Sequence, residues 1–550
     1  MQMTLGYRGH SGVSKGDAGS QLRFAPNLAR PKVSFDGELV HPVRYREAIS
    51  ALHAVVVGDL RFKRRDPAAY LEWKKQEEIR EAELRQQIFR DLKKQQLEGL
   101  GKEQPPPGLE KDFQKMHALY WKERRRWAAE LGRDDPQLFR HLVPCDPVVT
   151  VAPDVVYFEC FSKDESSYGC LLVDRDAFKG QDAVGLGTTN VDYSLALYEH
   201  FQTLRTYRPT RLLVDPRGFE VKVESMSDYR EEKIDLPPSW LRGFGQISAA
   251  MTLPSRKVVL PTEAVYSILA YLKRHREKTG PRSIRFKLTP GRAPVIVLDP
   301  WGVEIDTRDR PYEGERAEEI KVWGRRRLMA LSRVLPLAER VEVRLLGTGM
   351  PSIWIAHLGE MRFVLALSGW TTNDWTSGAS LELLAKNLKA DADTVEQLTS
   401  LLMAEQKAPL SRLAQQTQKS ADLILGSLFR LAQQGQVVYD FSTQSYRYRQ
   451  VMPVTLSEAV LGPEPIEISE GRRLARSGEV QPGREEPLTK GRRLVTAKVA
   501  GVSCEAIFDA DLGYGKAKCT CKHHHKLGMK AGPCRHLLAL KLHLAAGAQN

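Results

Sequence analysis

Nowhere in these 550 residues is there an apolar run near the 18 or so that a membrane-crossing helix requires. Residues 1–20 are rich in Gly and Ser and lack the apolar core of a secretory leader, so the sequence reads as a soluble, cytoplasmic protein. Also missing are the G-x-x-x-x-G-K-S/T phosphate loop and the H-E-x-x-H zinc motif, which removes the P-loop ATPases and the best-marked zinc hydrolases from consideration. Cysteine is scarce. There are seven, an odd number, and four of them (Cys504, Cys519, Cys521, Cys534) fall in the last fifty residues, which is not how a disulfide framework is spread. A reducing compartment and a metal site suit that distribution. From Leu512 to the end there is no acid, while Lys516, Lys518, Lys522, Lys526, Lys530, Arg535 and Lys541 are all present.

What is there belongs to a large globular chain. Hydrophobic residues make up 42% and charged residues 27%, and the length allows three or four domains at roughly 150 residues each. Lysine and arginine total 82 against 68 acids, for a net charge of +14, which favours an anionic partner such as DNA or RNA.

Residues 1–30, with many Gly and Ser and little periodicity, are expected to be a flexible arm. The region 31–147 contains a helical hairpin. Asp66-Pro67 opens a charged helix with Leu84, Ile88 and Leu92 on one face, prolines 105–107 break it, and Phe113, Met116, Tyr120, Trp127 and Leu131 mark a second helix. Its Arg124-Arg125-Arg126 run has enough neighbouring glutamates to be a solvated, salt-bridged face.

Residues 148–380 read as an α+β platform. Short β-rich runs, Val155 to Phe161 and Leu171 to Val173, flank a polar turn whose Asp164, Glu165 and Ser166 are what turn chemistry selects. An internal repeat follows. Tyr193 to Tyr198 leads into Val214-Asp215-Pro216-Arg217-Gly218, and Tyr266 to Tyr271 leads into Leu298-Asp299-Pro300-Trp301-Gly302, each a helix followed by two strands around an Asp-Pro-x-Gly turn. The stretch from Ser368 to Trp375 carries two tryptophans among polar residues, suited either to a binding loop or to plugging a sheet end.

From 391 to 450 the pattern is three helices (394–404, 410–417, 420–434) and a hairpin (437–441 with 446–449), the order of a winged helix-turn-helix. Its third helix buries Leu423, Ile424, Leu428 and Leu431, leaving Asp422, Ser427, Arg430, Gln433 and Gln434 outside. Lys419 at the start of that helix, Arg430 on it, and Arg447 and Arg449 on the wing strand are the candidate phosphate contacts. Residues 451–487 are expected to be a linker, and 488–550 a final small domain.

That last domain holds the strongest signal: Cys519-Thr520-Cys521, twelve residues, then Cys534-Arg535-His536. Three thiolates and an imidazole satisfy one tetrahedral zinc ion, and four protein ligands leave no open position for catalysis, so the zinc is structural. Strand-like 493–498 and 505–509 precede the first pair, and Gly532-Pro533 opens a helix, 537–544. Cys504 reads as a small core residue, and His523 to His525 as lining a loop beside the metal, the alternative being that one of them substitutes for a cysteine ligand.

C-x-C-x(n)-C-x-H in a ββα setting resembles the SWIM-type zinc finger over about 50 residues, Leu488 to Leu544. The resemblance implies that Cys519, Cys521, Cys534 and His536 are the ligands, and that the finger serves DNA or protein contact, with Lys522, Lys526, Lys530 and Arg535 the basic residues at hand. The stretches Val33 to Val40, Arg46 to Val57 and Ser368 to Trp375 are similar to large bacterial SWIM zinc-finger proteins, some found alongside MoxR-type AAA ATPases and von Willebrand A proteins. The combined expectation is a multidomain α+β protein: helical hairpin, duplicated platform, winged helix and ββα finger. It would act as a non-enzymatic adaptor or regulator that binds nucleic acid, protein or both. The alternative is an enzyme with its site in the platform, around the Trp370 to Trp375 loop or the Asp215 and Asp299 turns, which requires those carboxylates to converge.

Overall fold

The structure, a computed structural model, describes residues 5–8, 12–16, 19–24, 33–58, 147–180, 185–190, 210–214, 230–233, 238–277, 282–307, 310–369, 389–451, 466–488, 492–508, 514–529 and 532–547, with 115, 201, 202, 204, 206 and 375 singly. It divides into two units, residues 1–59 with 144–550, and residues 60–143. The helical hairpin expected over 66–131 and the Asp215 turn of the first repeat copy lie outside the described residues. Among those described, no helix is long and apolar enough to cross a membrane. The fold is mixed α/β with several antiparallel sheets.

Successive side chains of a strand point to opposite faces, so a mainly apolar run such as VVYFECF or MRFVLAL, each with a single charged residue, has two faces to bury. These runs are Val155–Phe161 and Met361–Leu367, buried along their whole length. They lie at the centre of an eight-stranded sheet ordered Arg256–Leu260, Arg340–Leu345, Ser352–Leu358, Met361–Leu367, Ser167–Asp174, Val155–Phe161, Val148–Val151, Gly187–Asn190. Every neighbouring pair is antiparallel.

One face presents Val156, Phe158, Leu171, Val173, Phe363 and Leu365 to a core shared with the helices Pro42–Val56 and Thr262–Arg274. That core also takes Phe286 and Ile296 from a four-stranded sheet, ordered Val303–Asp306, Val295–Leu298, Ile284–Leu288, Glu318–Val322. The second repeat copy is therefore a helix and a hairpin, with Gly302 at φ 68° closing the turn, and a further strand in between.

The other face presents Tyr157, Phe161, Tyr168, Cys170, Ile355 and Val364. It is covered by the helix Pro238–Thr252, through Leu241, Phe244 and Ile247, and by the segment 391–450, through Phe429, Ala432, Val438 and Phe441. Within 391–450 the helices Ala392–Glu405, Leu410–Thr417 and Ala421–Gln433 and the strands Val437–Asp440 and Ser445–Tyr448 fall where the sequence indicated, with a third strand, Lys407–Pro409, added. Asp391 caps the first helix by accepting from the Thr394 N–H at 2.7 Å. The third helix lies close enough to Pro238–Thr252 that a Cβ on Gly245 would sit 2.4 Å from the Gln433 carbonyl oxygen.

Charge fixes this cover in place. Arg449, fully buried, donates to Glu159, which is equally buried on the sheet, and to Ser248. Tyr168 donates a second hydrogen bond to Glu159 at 2.6 Å. Arg447 reaches Asp154 at 2.6 and 2.9 Å and Asp440 at 2.9 Å, and Lys407 also binds Asp154. Burial works against ionisation of Asp154, but the hydrogen bonds from Arg447 and Lys407 outweigh it and hold the carboxyl below the usual range.

Two expectations are corrected. Part of the supposed flexible arm is strand: Leu5–Arg8 pairs with Arg230–Lys233, and Gly12–Gly16 pairs with Gly19–Phe24 down to Gly16↔Gly19. Glycine content misled here, because two glycines facing each other across a two-residue connection are also hairpin chemistry. Part of the supposed linker, 466–487, is a helix, Ile466–Arg476, and a strand, Val480–Pro487. That strand begins a second four-stranded sheet with Arg493–Val499, Val502–Phe508 and Tyr514–Cys519, and the helix packs on the last helix, Arg535–Gly547. A Cβ on Gly471 would stand 2.8 Å from Leu538 Cδ2, which sets how closely the two helices approach.

Replacing Arg449 by Ala strands a buried carboxylate, and urea unfolding should register a loss of about 3–5 kcal/mol, much of it recovered when Glu159→Leu and Arg449→Met are combined. The Asp154 carboxylate contributes stability that is complete above its ordinary pKa of about 3.9 and is lost as pH falls toward the depressed native value. Asp154→Asn should therefore flatten the acid limb of a stability-against-pH curve below about pH 4, and an unchanged limb would count against the pairing.

Candidate metal centre

Four side chains converge at the C-terminal sheet. The strand Tyr514–Cys519 ends on Cys519, whose register partner is Cys504. Cys521 caps the short helix Lys522–Leu527, its sulfur accepting from the His524 N–H at 3.3 Å. Cys534 stands just before the helix Arg535–Gly547, its carbonyl accepting from the Leu538 N–H at 2.9 Å, and His536 lies in that helix's first turn. The donor atoms of Cys519, Cys521, Cys534 and His536 all fall within 4.8 Å of one another, near the edge of about 3.8 Å expected of a tetrahedron with thiolate bonds of about 2.3 Å. These four residues could hold a metal ion.

The surroundings fit a cation. His536 has a buried ring nitrogen, Nδ1, with no hydrogen-bond partner. Hydrogen bonds from Cys534 and His536 draw the Cys519 thiol down to about 4, while the Cys534 thiol is pushed up by the same contact and by burial, and Cys521 is raised chiefly by burial. One thiolate is thus favoured among three crowded sulfurs, and only a cation lets all three lose their protons together. Cys504 is different: buried in the core beneath the sheet, it donates to the Ala497 carbonyl and its thiol is pushed up to about 12 by burial.

Glu467, on the helix Ile466–Arg476, ties the site to the rest of the domain. It accepts from the Arg535 backbone N–H at 2.7 Å and from the Arg535 guanidinium at 2.6 Å, and His523 Nδ1 stands 3.6 Å away. Burial opposes its ionisation, yet the bonds from Arg535 keep its carboxyl below the usual range. Sequence reasoning missed Glu467. The available signal was the spacing Ile468, Gly471, Leu474, Ala475, a helical stripe in a stretch read as linker.

The eight candidate phosphate contacts do not form one surface. Arg447 and Arg449 are buried, 2% and 1% exposed, and committed to Asp154, Asp440 and Glu159, because the wing strand turns that face toward the platform rather than to solvent. Ser427, expected outside the third helix, is also buried. Lys419 pairs with Asp393 at 3.2 Å, and Arg430 is exposed. Arg535 is held by Glu467, Lys522 and Lys526 are exposed, and Lys530 lies outside the described residues. Exposed Lys516 and Lys518 join Lys522 and Lys526 on the strand and short helix that carry the first two cysteines, whereas Lys541 is buried with its ammonium over the Tyr514 ring.

The platform acids are occupied by neighbours. Asp299 accepts from Ser283 at 2.6 Å and Arg285 at 3.0 Å; Asp164 accepts from Ser162 and Ser166 and faces Arg327 at 3.7 Å. Trp375 is buried, and its backbone N–H donates to the Glu165 carbonyl, so the two polar turns singled out in the sequence meet at one end of the central sheet; Trp370 lies outside the described residues.

No family model matches the chain, and no curated protein matches it. Among solved structures, the proliferating cellular nuclear antigen of Entamoeba histolytica aligns at 13% identity and a TM-score of 0.29, over 41% of this chain and 89% of that one. The same antigen from Thermococcus kodakaraensis aligns at 13% identity and 0.27, over 40% and 89%. A likeness of that degree carries nothing over to this chain.

Elemental analysis of the purified full chain should find one transition-metal equivalent bound here, reduced to a trace by Cys534→Ser or by strong chelation. Hydrogen exchange over 514–547 should rise at the same time, while the central sheet stays protected. Metal content indifferent to Cys534→Ser would remove the site.

Proposed function

We propose that this protein is a non-enzymatic, zinc-binding adaptor whose C-terminal domain is a SWIM-type finger that engages nucleic acid. The reading rests on the four-donor cluster: three thiolates and an imidazole suit Zn2+, close its coordination shell and leave no position for a substrate. The zinc is then structural, joining strand, short helix and last helix into one surface. Such a site carries about one negative charge, and exposed Lys516, Lys518, Lys522 and Lys526 leave the neighbourhood positive. Phosphate attraction by these lysines is the sequence-independent part of nucleic-acid affinity.

The 391–450 segment has the helix order of a winged helix, but in this reading it serves as cover for the platform, since the third helix and wing strand are turned inward. Thiolate ligands suit a reducing cytoplasm, and the resemblance to bacterial SWIM proteins makes a MoxR-type ATPase and a von Willebrand A protein the partners to try first.

The full chain is the right reagent, because a 391–550 fragment would expose Phe429, Val438 and Phe441. With labelled duplex DNA, anisotropy should show affinity that falls steeply with salt. The quadruple variant Lys516→Glu, Lys518→Glu, Lys522→Glu, Lys526→Glu should lose most of the binding, and Cys519→Ser should lose it along with the metal. No duplex binding near 50 mM salt, or binding that ignores the four lysines, would overturn the nucleic-acid reading and leave a protein-docking finger.

A further inference from the structure

A second charged surface lies on the platform, far along the chain from the finger. The helix Thr262–Arg274 runs out into Lys273-Arg274-His275-Arg276, all exposed, and among the described residues Lys273, Arg274 and Arg276 have no acidic partner. Glu277, the nearest carboxylate in the chain, already serves Arg326 at 2.7 Å, Arg325 at 3.4 Å and Arg282 at 3.6 Å. Asp299 is bound to Ser283 and Arg285. The local excess of positive charge is therefore not neutralised from within.

Aromatic rings stand among these cations. Tyr271 and His275 are stacked, centroids 4.0 Å apart at 17°, and Trp301, at the tip of the hairpin between Val295–Leu298 and Val303–Asp306, meets Tyr271 edge-on at 5.2 Å. The buried Arg325 guanidinium lies 4.7 Å from the Trp301 ring and fixes it from behind. Tyr271 covers one face of His275, Trp301 stands edge-on to it at 6.1 Å, and His275 itself is exposed.

We infer that this patch binds single-stranded nucleic acid, a base stacking on His275 while Lys273, Arg274 and Arg276 take the phosphates on either side. Rings set among unpaired cations are the arrangement that tracks a single strand, because an unpaired base offers its face whereas a duplex offers only edges and phosphates. Cations at a helix C-terminus also complement its dipole, which accounts for their position but not for the exposed stack beside them. The inference does not use the finger, and the two are separable.

The test takes the full chain carrying the four finger lysine reversals, with metal content as the check that it is folded, and measures anisotropy of a labelled 15-nucleotide oligothymidylate against salt. Binding should persist in this background and exceed that of a duplex of the same length. His275→Ala should weaken it about tenfold or more, the scale of one lost base–aromatic stack, and His275→Phe should restore it. Changing Lys273, Arg274 and Arg276 to Gln should reduce the salt slope by about two, as expected for three single-strand phosphate contacts. Absence of oligothymidylate binding in this background, equal affinity for the duplex, indifference to His275→Ala, or equal competition by polyglutamate would each overturn the inference. If the unmodified chain binds duplex no better than the finger-reversed chain does, it is the finger reading that fails.

Discussion

The described part of the platform is arranged around a sheet that cannot leave either face in water. Val155–Phe161, Ser167–Asp174, Ser352–Leu358 and Met361–Leu367 are buried at nearly every position, and the period of two divides their apolar side chains: Val156 and Phe158 to one core, Val155 and Tyr157 to the other. At roughly 25 cal/mol per Å2 of apolar area, a bare second face would cost more than the whole net stability of a domain. The segment 391–450 is accordingly part of the platform's core, although it has a small core of its own around Leu398, Leu428 and Tyr446.

The polar side of that union explains its precision. Apolar contact alone would let the wing hairpin slide over the sheet, but Arg449 and Glu159 are both fully desolvated and meet in one register only. Ser248 and Tyr168 take further hydrogen-bonding capacity, and Arg447 and Lys407 converge on Asp154 at the edge. A functional consequence follows from where the charges go. The two arginines that would serve a DNA-reading wing are consumed by the protein itself, so the charge of the wing is not on the module's surface.

Some of this was legible in the sequence, and the limits are physical. Cys519, Cys521, Cys534 and His536 could be picked out because ligation demands particular residue types at short spacing, a local requirement. The helices of 391–450 were legible for the same reason, through Leu398, Leu402, Leu428 and Leu431 at helical intervals and Asp391 as a cap. Strand period placed Arg447 and Arg449 on one face, but it cannot say whether that face meets water; only Glu159 and Asp154, nearly 300 residues away, decide it. The helix Ile466–Arg476 was hidden by its low apolar content, since Gly471 contributes to packing by what it lacks. Gly16 and Gly19 concealed a hairpin because glycine serves both turns and unstructured chain.

Once the core is allotted, the surfaces left for partners are few and have a common origin. A helix end cannot be buried without partners for its last carbonyls, and a strand leading into a metal loop cannot pair on every side, so both stay at the surface. These are the places where cations are found unspent: Lys516 and Lys518 on the strand that delivers Cys519, Lys522 and Lys526 on the short helix after Cys521, and Lys273, Arg274 and Arg276 at the end of Thr262–Arg274. Elsewhere in the first unit, many arginines are drawn into internal pairs, among them Arg362 with Asp174, Arg256 with Glu318 and Arg535 with Glu467. Net charge over the whole chain therefore says little about where an anion would bind. The informative quantity is which cations the fold has not already used, and among the described residues two groups of them stand beside the four-donor cluster and beside the Tyr271–His275 stack.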